Sequence, residues 1–94
     1  MSQGDGHDLE ELRREIAEID REIVDLIARR TYVAGTIAEV KAERDMPTTD
    51  EDQEAIVMDR AGYNAERFDV DANLVKAIFR LLIELNKVHQ RESR

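Results

Sequence analysis

LIARRTYVAGTIAEVK, residues 26–41, belongs to a segment in which apolar residues recur at alternating steps of three and four. This spacing places the apolar side chains on one face of an α-helix, and it predicts a helix from Asp8 through Val40. Arg30 stands at the one position where the apolar series would continue between Leu26 and Val33. The apolar seam of this helix therefore contains an arginine that needs an explanation. The seam positions are Leu9, Leu12, Ile16, Ile19, Ile23, Leu26, Val33, Ile37 and Val40.

Local signals mark where the helices begin and end. Asp8 can cap the long helix, and Glu11 follows three residues later, as in a capping box. Pro47 turns the residue before it away from helical angles, so the long helix must end before it. A second helix is predicted from about Asp50 to Ala61, and Gly62 is expected to end it. The residues available to cap this second helix are Thr48 and Thr49.

A third helix is predicted after Asp71, whose carboxylate can cap it. No segment has the alternating pattern of a strand, so the predicted fold is all-α, a three-helix chain with one very long first helix. Residues 1–7 are polar and contain glycine, and we expect a flexible tail there, followed by one domain over residues 8–92. The stripe expected to be buried on the third helix is Leu74, Ile78, Leu81, Leu82, Leu85 and Val88.

Composition excludes several classes of function. The chain has 94 residues and a net charge of −8, which repels nucleic acid and anionic membrane surfaces. It has no cysteine, so disulfides, thiolate nucleophiles and cysteine-based zinc sites are excluded. No apolar run approaches the roughly 20 residues of a membrane span, and no basic, apolar signal segment is present. We therefore expect a cytoplasmic protein. The excess of carboxylates fits either adaptation to high salt or an ordinary acidic surface.

The length of the first helix favours a homodimer. A helix over residues 9–43 would be about 50 Å long, whereas a 94-residue globule has a radius of gyration near 13 Å. An apolar seam of this kind packs helix against helix at a shallow angle, so the long helices of two chains are expected to pair. The alternative is a helix that projects into water and leaves Ile16, Ile19, Ile23 and Leu26 partly bare.

The seam also carries a candidate anion site. Lys41 follows Arg30 by about three full turns, so the two cations fall on nearly the same face, about 16 Å apart along the axis. Ala34, Ile37 and Ala38 lie between them, and the alanines leave space. Two cations beside a small-residue hollow favour a pocket for an anion. The alternative is that Arg30 only extends its head to the surface or fixes the pairing register.

Arg13 lies about 25 Å from Arg30 along the same helix, too far for both to hold one small molecule within one chain. If the partner helix runs antiparallel and crosses near residue 24, Arg13 of the partner subunit comes opposite residue 35. A symmetric dimer would then hold two equivalent anion sites, each completed across the interface. On the third helix, Asn86 and Gln90 continue the line of Phe79 and Ile83 as two neutral amides.

These residues together resemble the all-helical chorismate mutase family. The resemblance rests on LRREIAEIDREIVDLIARR, a lysine eleven positions after the second Arg of the RR pair, P-x-x-D-x-x-x-E from Pro47 to Glu54, and N-x-x-x-Q in the final helix. It covers residues 9–91, and the ordered set Arg, Arg, Lys, Glu, Gln at these spacings is specific. The family is an intertwined homodimer of three-helix chains with shared active sites.

The resemblance also implies roles for individual residues toward chorismate, a small dianion. Arg30 and the partner's Arg13 would hold its two carboxylates, while Lys41 and Gln90 would meet the ether oxygen. Glu54 and the backbone near Asp50 would take the ring hydroxyl. The remaining substrate-binding positions depart from the usual pattern: Gln53 stands where many members have Arg, and Asn86 where some have Ser.

The implied reaction converts chorismate to prephenate in phenylalanine and tyrosine biosynthesis. It is an intramolecular rearrangement, so it requires no nucleophile, metal, cofactor or proton shuttle, and the chain's only histidines are His7 and His89. The reaction requires a dianion held in a compact conformation and donors aimed at the oxygen that gains negative charge. Two alternatives remain: the isochorismate pyruvate-lyase relative of this fold, and a non-catalytic dimeric helical interaction module.

Overall fold

The computed structural model describes residues 8–47 and 50–92 and contains three α-helices. They are α1, Leu9–Glu43; α2, Glu51–Arg67; and α3, Ala72–Glu92. No strand occurs within these two ranges, and the prediction of an all-α chain with one very long first helix is confirmed. The tail predicted at residues 1–7 lies outside the described residues, as do Thr48 and Thr49; the prediction that one of these threonines caps α2 is wrong, because the N-cap is Asp50.

Helix α1 begins and ends where local chemistry predicts. The Asp8 carboxylate accepts a hydrogen bond from the Glu11 backbone N–H at 2.7 Å, which confirms the predicted cap. After Glu43, Asp45 adopts a left-handed backbone conformation with φ of 56°, and the Met46 N–H donates to the Lys41 carbonyl at 2.8 Å. This turn satisfies a carbonyl of the last helical turn, and Pro47 then prevents the helix from continuing.

Helix α2 is longer than the sequence predicted. The prediction that Gly62 ends it is wrong, because α2 continues to Arg67 with Phe68 as its C-cap, and the left-handed residue Asp69 follows with φ of 58°. Gly62 is buried, and a Cβ built at this position would lie 2.6 Å from Cε of Lys76. The glycine therefore serves a close contact between α2 and α3 instead of a helix end.

Helices α2 and α3 pack against each other and contain the buried residues. The buried apolar side chains are Val57, Ala61 and Ala65, which lie four residues apart on one face of α2. The predicted cap of α3 is confirmed, since the Asp71 carboxylate accepts from the Leu74 N–H at 2.8 Å. The contacts of Gly62 with Lys76 and of Glu54 with Lys87 show that the two helices run antiparallel.

The predicted buried stripe of α3 is wrong for four of its six members within this chain. Leu74, Ile78, Leu81 and Leu85 are exposed, and Leu81 reaches 70%. Leu82 and Val88 are half-buried. The physical reason is that α2 covers only one face of α3. Apolar residues occupy more of the circumference of α3 than this face, so some of them are exposed to water.

The chain divides into two compact units, the first ending at Arg30 and the second beginning at Thr31. In the first unit the apolar side chains of α1 are largely exposed, for example Ile16 at 58%. Helix α1 contains no buried residue along its whole length. None of the helices in the described ranges is both long enough and apolar enough to cross a membrane.

Candidate active site

The predicted site residues of the second unit lie at helix ends. Lys41 is in the last turn of α1, Asp50 caps α2, Glu54 is in the first turn of α2, and Asn86 and Gln90 are in the last two turns of α3. Because α2 and α3 run antiparallel and Glu54 meets Lys87, Gln90 lies near the level of the start of α2. Glu54 and Gln90 therefore lie toward the same end of the α2–α3 pair, and Lys41 shares a cleft with Asp50.

In the second unit, α1 turns a face of small residues inward. The half-buried residues recur at helical spacing, while Val33, Ile37 and Val40 on the apolar seam are exposed. This face was predicted to include Ile37, and the exposure of Ile37 removes it from that face. The half-buried positions are Thr31, Ala34, Gly35, Ala38 and Lys41. The predicted hollow of alanines between Arg30 and Lys41 stays a prediction, because the cleft that contains Lys41 is lined by other residues.

Asn86 is the most buried polar residue in the described chain, at 7% exposure. Its Nδ2 donates a hydrogen bond to Oγ1 of Thr31 at 3.0 Å. A buried amide of this kind stabilises the fold only while its hydrogen bonds are made. The contact links α3 to the second-unit part of α1, and Gln90 follows one turn later.

Glu54 forms an ion pair that sequence reasoning missed. Lys87 Nζ lies 3.1 Å from Glu54 Oε2. The pair joins α3 to α2 across 33 positions of sequence, a separation that no local pattern shows. The chain has three lysines and eleven arginines. All three lysines, namely Lys41, Lys76 and Lys87, are half-buried.

The capping interaction at the start of α2 orients two of the predicted residues. The Asp50 carboxylate accepts from the Gln53 backbone N–H at 3.1 Å, and the Glu54 N–H donates to the Asp50 carbonyl at 3.0 Å. The side chain of Gln53 is exposed. The Asp50 carboxylate is therefore engaged by the backbone of its own helix. The positive end of the α2 dipole lies beside Glu54.

A cleft of about 580 Å³ opens between the end of α1 and the start of α2. This volume lies within the range of small-molecule sites, roughly 300–1,000 Å³. Its lining is rich in carboxylates and has one cation, Lys41. The lining residues are Lys41, Met46, Pro47, Asp50, Glu51 and Asp52. A dianion in this cleft would need further positive charge from outside the lining.

The two predicted arginines belong to the first unit. Arg13 is exposed, and its NH1 lies 3.9 Å from Glu10 Oε1, with side chains 69% and 74% exposed. An ion pair this open to water contributes little, so the Arg13 guanidinium remains accessible to another anion. Arg30 is half-buried, whereas its neighbours on the apolar seam, Ile23 and Leu26, are exposed. Arg30 therefore differs in burial from the seam on which the spacing placed it.

The described ranges contain no group of three or more His, Cys, Asp or Glu side chains arranged to hold a metal ion.

The Asn86–Thr31 contact generates a stability prediction. Thr31→Val removes the acceptor of this hydrogen bond from the buried Asn86 amide, so we expect the free energy of unfolding to fall by about 1–3 kcal/mol. Thr36→Val is the matched control on the same helix. Thr36 is exposed and its hydroxyl donates to the Tyr32 carbonyl of its own helix, so a change within about 0.5 kcal/mol is expected.

Urea unfolding at one fixed protein concentration measures both variants. Equal losses in the two variants would show that the contact between Asn86 and Thr31 contributes nothing to the fold.

Comparison with known proteins shows the family. A family model described as chorismate mutase type II matches residues 12–91. The chain is 38% identical over 84 residues to a chorismate mutase of Methanocaldococcus jannaschii, covering 89% of this chain and 85% of that protein. It is 30% identical over 86 residues to a bifunctional chorismate mutase/prephenate dehydratase of Buchnera aphidicola, and 28% identical over 72 residues to the T-protein of Haemophilus influenzae.

The alignments to these last two proteins cover 92% and 77% of this chain but only 22% and 19% of their own lengths. The family match, in contrast, extends over most of this chain and includes every predicted site residue from Arg13 to Gln90. The chain belongs to the type II chorismate mutase family.

Proposed function

We propose that this protein is a chorismate mutase that converts chorismate to prephenate in aromatic amino acid biosynthesis. One observation carries the proposal: the chain is 38% identical to a chorismate mutase and covers 85% of that protein's length. The positions of Lys41, Glu54 and Gln90 at helix ends support it, because the reaction needs positioned charges and hydrogen-bond donors and no nucleophile.

The mechanism assigns binding and stabilisation to different side chains. Two arginines can each grip a carboxylate through two parallel hydrogen bonds, which holds the substrate in the compact conformation needed for bond formation. As the carbon–oxygen bond breaks, the ether oxygen gains negative charge. The Lys41 ammonium and the Gln90 amide are donors suited to stabilise that charge, and neither has to gain or lose a proton.

We assign binding of the ring hydroxyl of the substrate to residues at the start of α2. Glu54 can accept a hydrogen bond from it, and the backbone near Asp50 lies one turn away. Gln53 and Asn86 complete the set of proposed substrate-binding positions. Asn86 already donates to Thr31, so we assign it chiefly to holding the end of α3 in place.

Charge supports a site shared between two chains. The cleft beside Lys41 has three carboxylates in its lining, namely Asp50, Glu51 and Asp52, so its own charge opposes a dianion. The Arg13 guanidinium is exposed and held only by a weak pair with Glu10. We propose a homodimer in which the partner's Arg13 completes the site. The exposed apolar side chains of α1, including Ile16 and Leu26, would supply the interface.

The direct test of the proposed function is to mix purified protein with chorismate and follow the loss of chorismate absorbance and the formation of prephenate. We expect turnover without any added metal or cofactor. Release of pyruvate from isochorismate, with chorismate left intact, would instead identify the pyruvate-lyase activity. Lack of turnover of both compounds would favour a helical interaction module and contradict the proposal.

The assignment of Gln90 predicts a specific pH dependence. An amide donates a hydrogen bond at every ordinary pH, so wild-type turnover should change little between about pH 5 and 8. Gln90→Glu places an anion beside an oxygen that gains negative charge, and loss of one such donor costs on the order of a hundredfold in rate. A free glutamate titrates near pH 4.3, so acid should partly restore the variant as its carboxyl protonates.

The pH profiles of turnover for wild type and Gln90→Glu measure this effect. Asn73→Asp adds the same charge at an exposed position in the first turn of α3 and should leave the wild-type profile unchanged. A Gln90→Glu variant that is fully active at neutral pH, or that has the wild-type profile, would remove Gln90 from the breaking bond.

A further inference from the structure

We propose that Lys87 is a positioning residue for Glu54: its ammonium fixes and neutralises the carboxylate that receives the ring hydroxyl of the substrate. This inference rests on the proposed function and deepens it by adding a residue that the family resemblance did not supply. The observation behind it is the 3.1 Å contact between Lys87 Nζ and Glu54 Oε2, which joins α3 to the first turn of α2.

The pair is sheltered enough to affect the site. The side chains of Lys87 and Glu54 are 37% and 34% exposed, whereas those of the surface pair Arg13–Glu10 are 69% and 74% exposed. Partial burial reduces the screening that makes surface ion pairs weak. The pair also connects two different helices, so it cannot form from neighbouring residues of one helix as the Arg13–Glu10 pair does.

The position of Lys87 on α3 explains why it reaches Glu54. Asn86 points toward α1, where it meets Thr31, and Lys87 points toward α2. Successive helical residues are rotated by about 100°, and Gln90 falls in direction between Asn86 and Lys87, about one turn further along. The last turns of α3 thus present Gln90 toward the space between the two neighbouring helices, with Lys87 on its α2 side.

The ion pair lowers the electrostatic cost of placing Glu54 beside a dianionic substrate. A carboxylate is a strong hydrogen-bond acceptor for a hydroxyl, but an uncompensated negative charge beside a dianion raises the free energy of binding. The cleft already has three carboxylates in its lining. Lys87 offsets the charge of Glu54 while occupying Oε2, which leaves Oε1 to accept from the substrate. The positive end of the α2 dipole acts in the same direction.

The experiment is a double-mutant cycle on turnover of chorismate. Lys87→Met keeps a long apolar side chain and removes the charge, so we expect kcat/KM to fall about tenfold. Lys87→Arg keeps the charge and should stay within about threefold of wild type. In the Glu54→Gln background, Lys87→Met should change kcat/KM less than about twofold, because the carboxylate on which Lys87 acts is gone.

Lys76→Met is the matched control. Lys76 is also a half-buried lysine of α3, eleven residues before Lys87, and it contacts Gly62. This variant should keep wild-type kcat/KM. Thermal melting of every variant separates a change in activity from a loss of folded protein, because a purely structural role of Lys87 would lower the melting temperature of Lys87→Met in step with its kcat/KM.

The outcomes separate the two proposals. Wild-type protein without activity on chorismate would overturn the proposed function and this inference together. Active wild type with Lys87→Met unchanged would overturn the inference alone. So would an equal loss from Lys87→Met in the wild-type and Glu54→Gln backgrounds, because Lys87 would then act independently of Glu54.

Discussion

An apolar face that its own chain does not cover is the constraint on which this structure depends. The buried apolar residues of the described chain are Val57, Ala61 and Ala65, all in α2, and α1 has none. Three small or medium side chains bury too little surface to offset the entropy of ordering a chain of this size. We therefore propose that folding is coupled to pairing with a second copy, which would cover the exposed seam of α1 and the exposed face of α3.

The same constraint explains the placement of the polar residues. Apolar surface occupies one face along the length of each helix, and the proposed site residues Lys41, Asp50 and Gln90 lie at helix ends. There capping groups and backbone dipoles organise them, as Asp50 does for the first turn of α2. In our proposal the cleft beside Lys41 lacks the positive charge for a dianion until a second chain supplies it. Dimerisation and catalysis then depend on one interface.

The sequence predicted what local chemistry determines and missed what tertiary packing determines. The caps at Asp8 and Asp71 were predicted correctly because each depends on residues three positions apart. The predicted end of α2 was wrong because Gly62 allows a close contact with Lys76, and only the packing of α3 brings Lys76 near.

For the site, the ordered spacing of charged residues identified the family, but the structure was needed to find the contacts of Asn86 and Lys87. Their partners, Thr31 and Glu54, lie 55 and 33 positions away in sequence. Such separations leave no periodic pattern. The faces of α3 were also assigned incorrectly, because apolar residues encircle more of that helix than α2 covers, as the exposure of Leu81 shows.

The central claim, a site completed by a second chain, is tested most directly by mixing two inactive variants. Arg13→Ala and Arg30→Ala should each be nearly inactive alone. In a heterodimer one of the two sites regains both arginines, so random co-refolding of equal amounts should restore about a quarter of wild-type activity. Failure of verified heterodimers to recover activity would contradict the shared site, as would full activity of either variant alone.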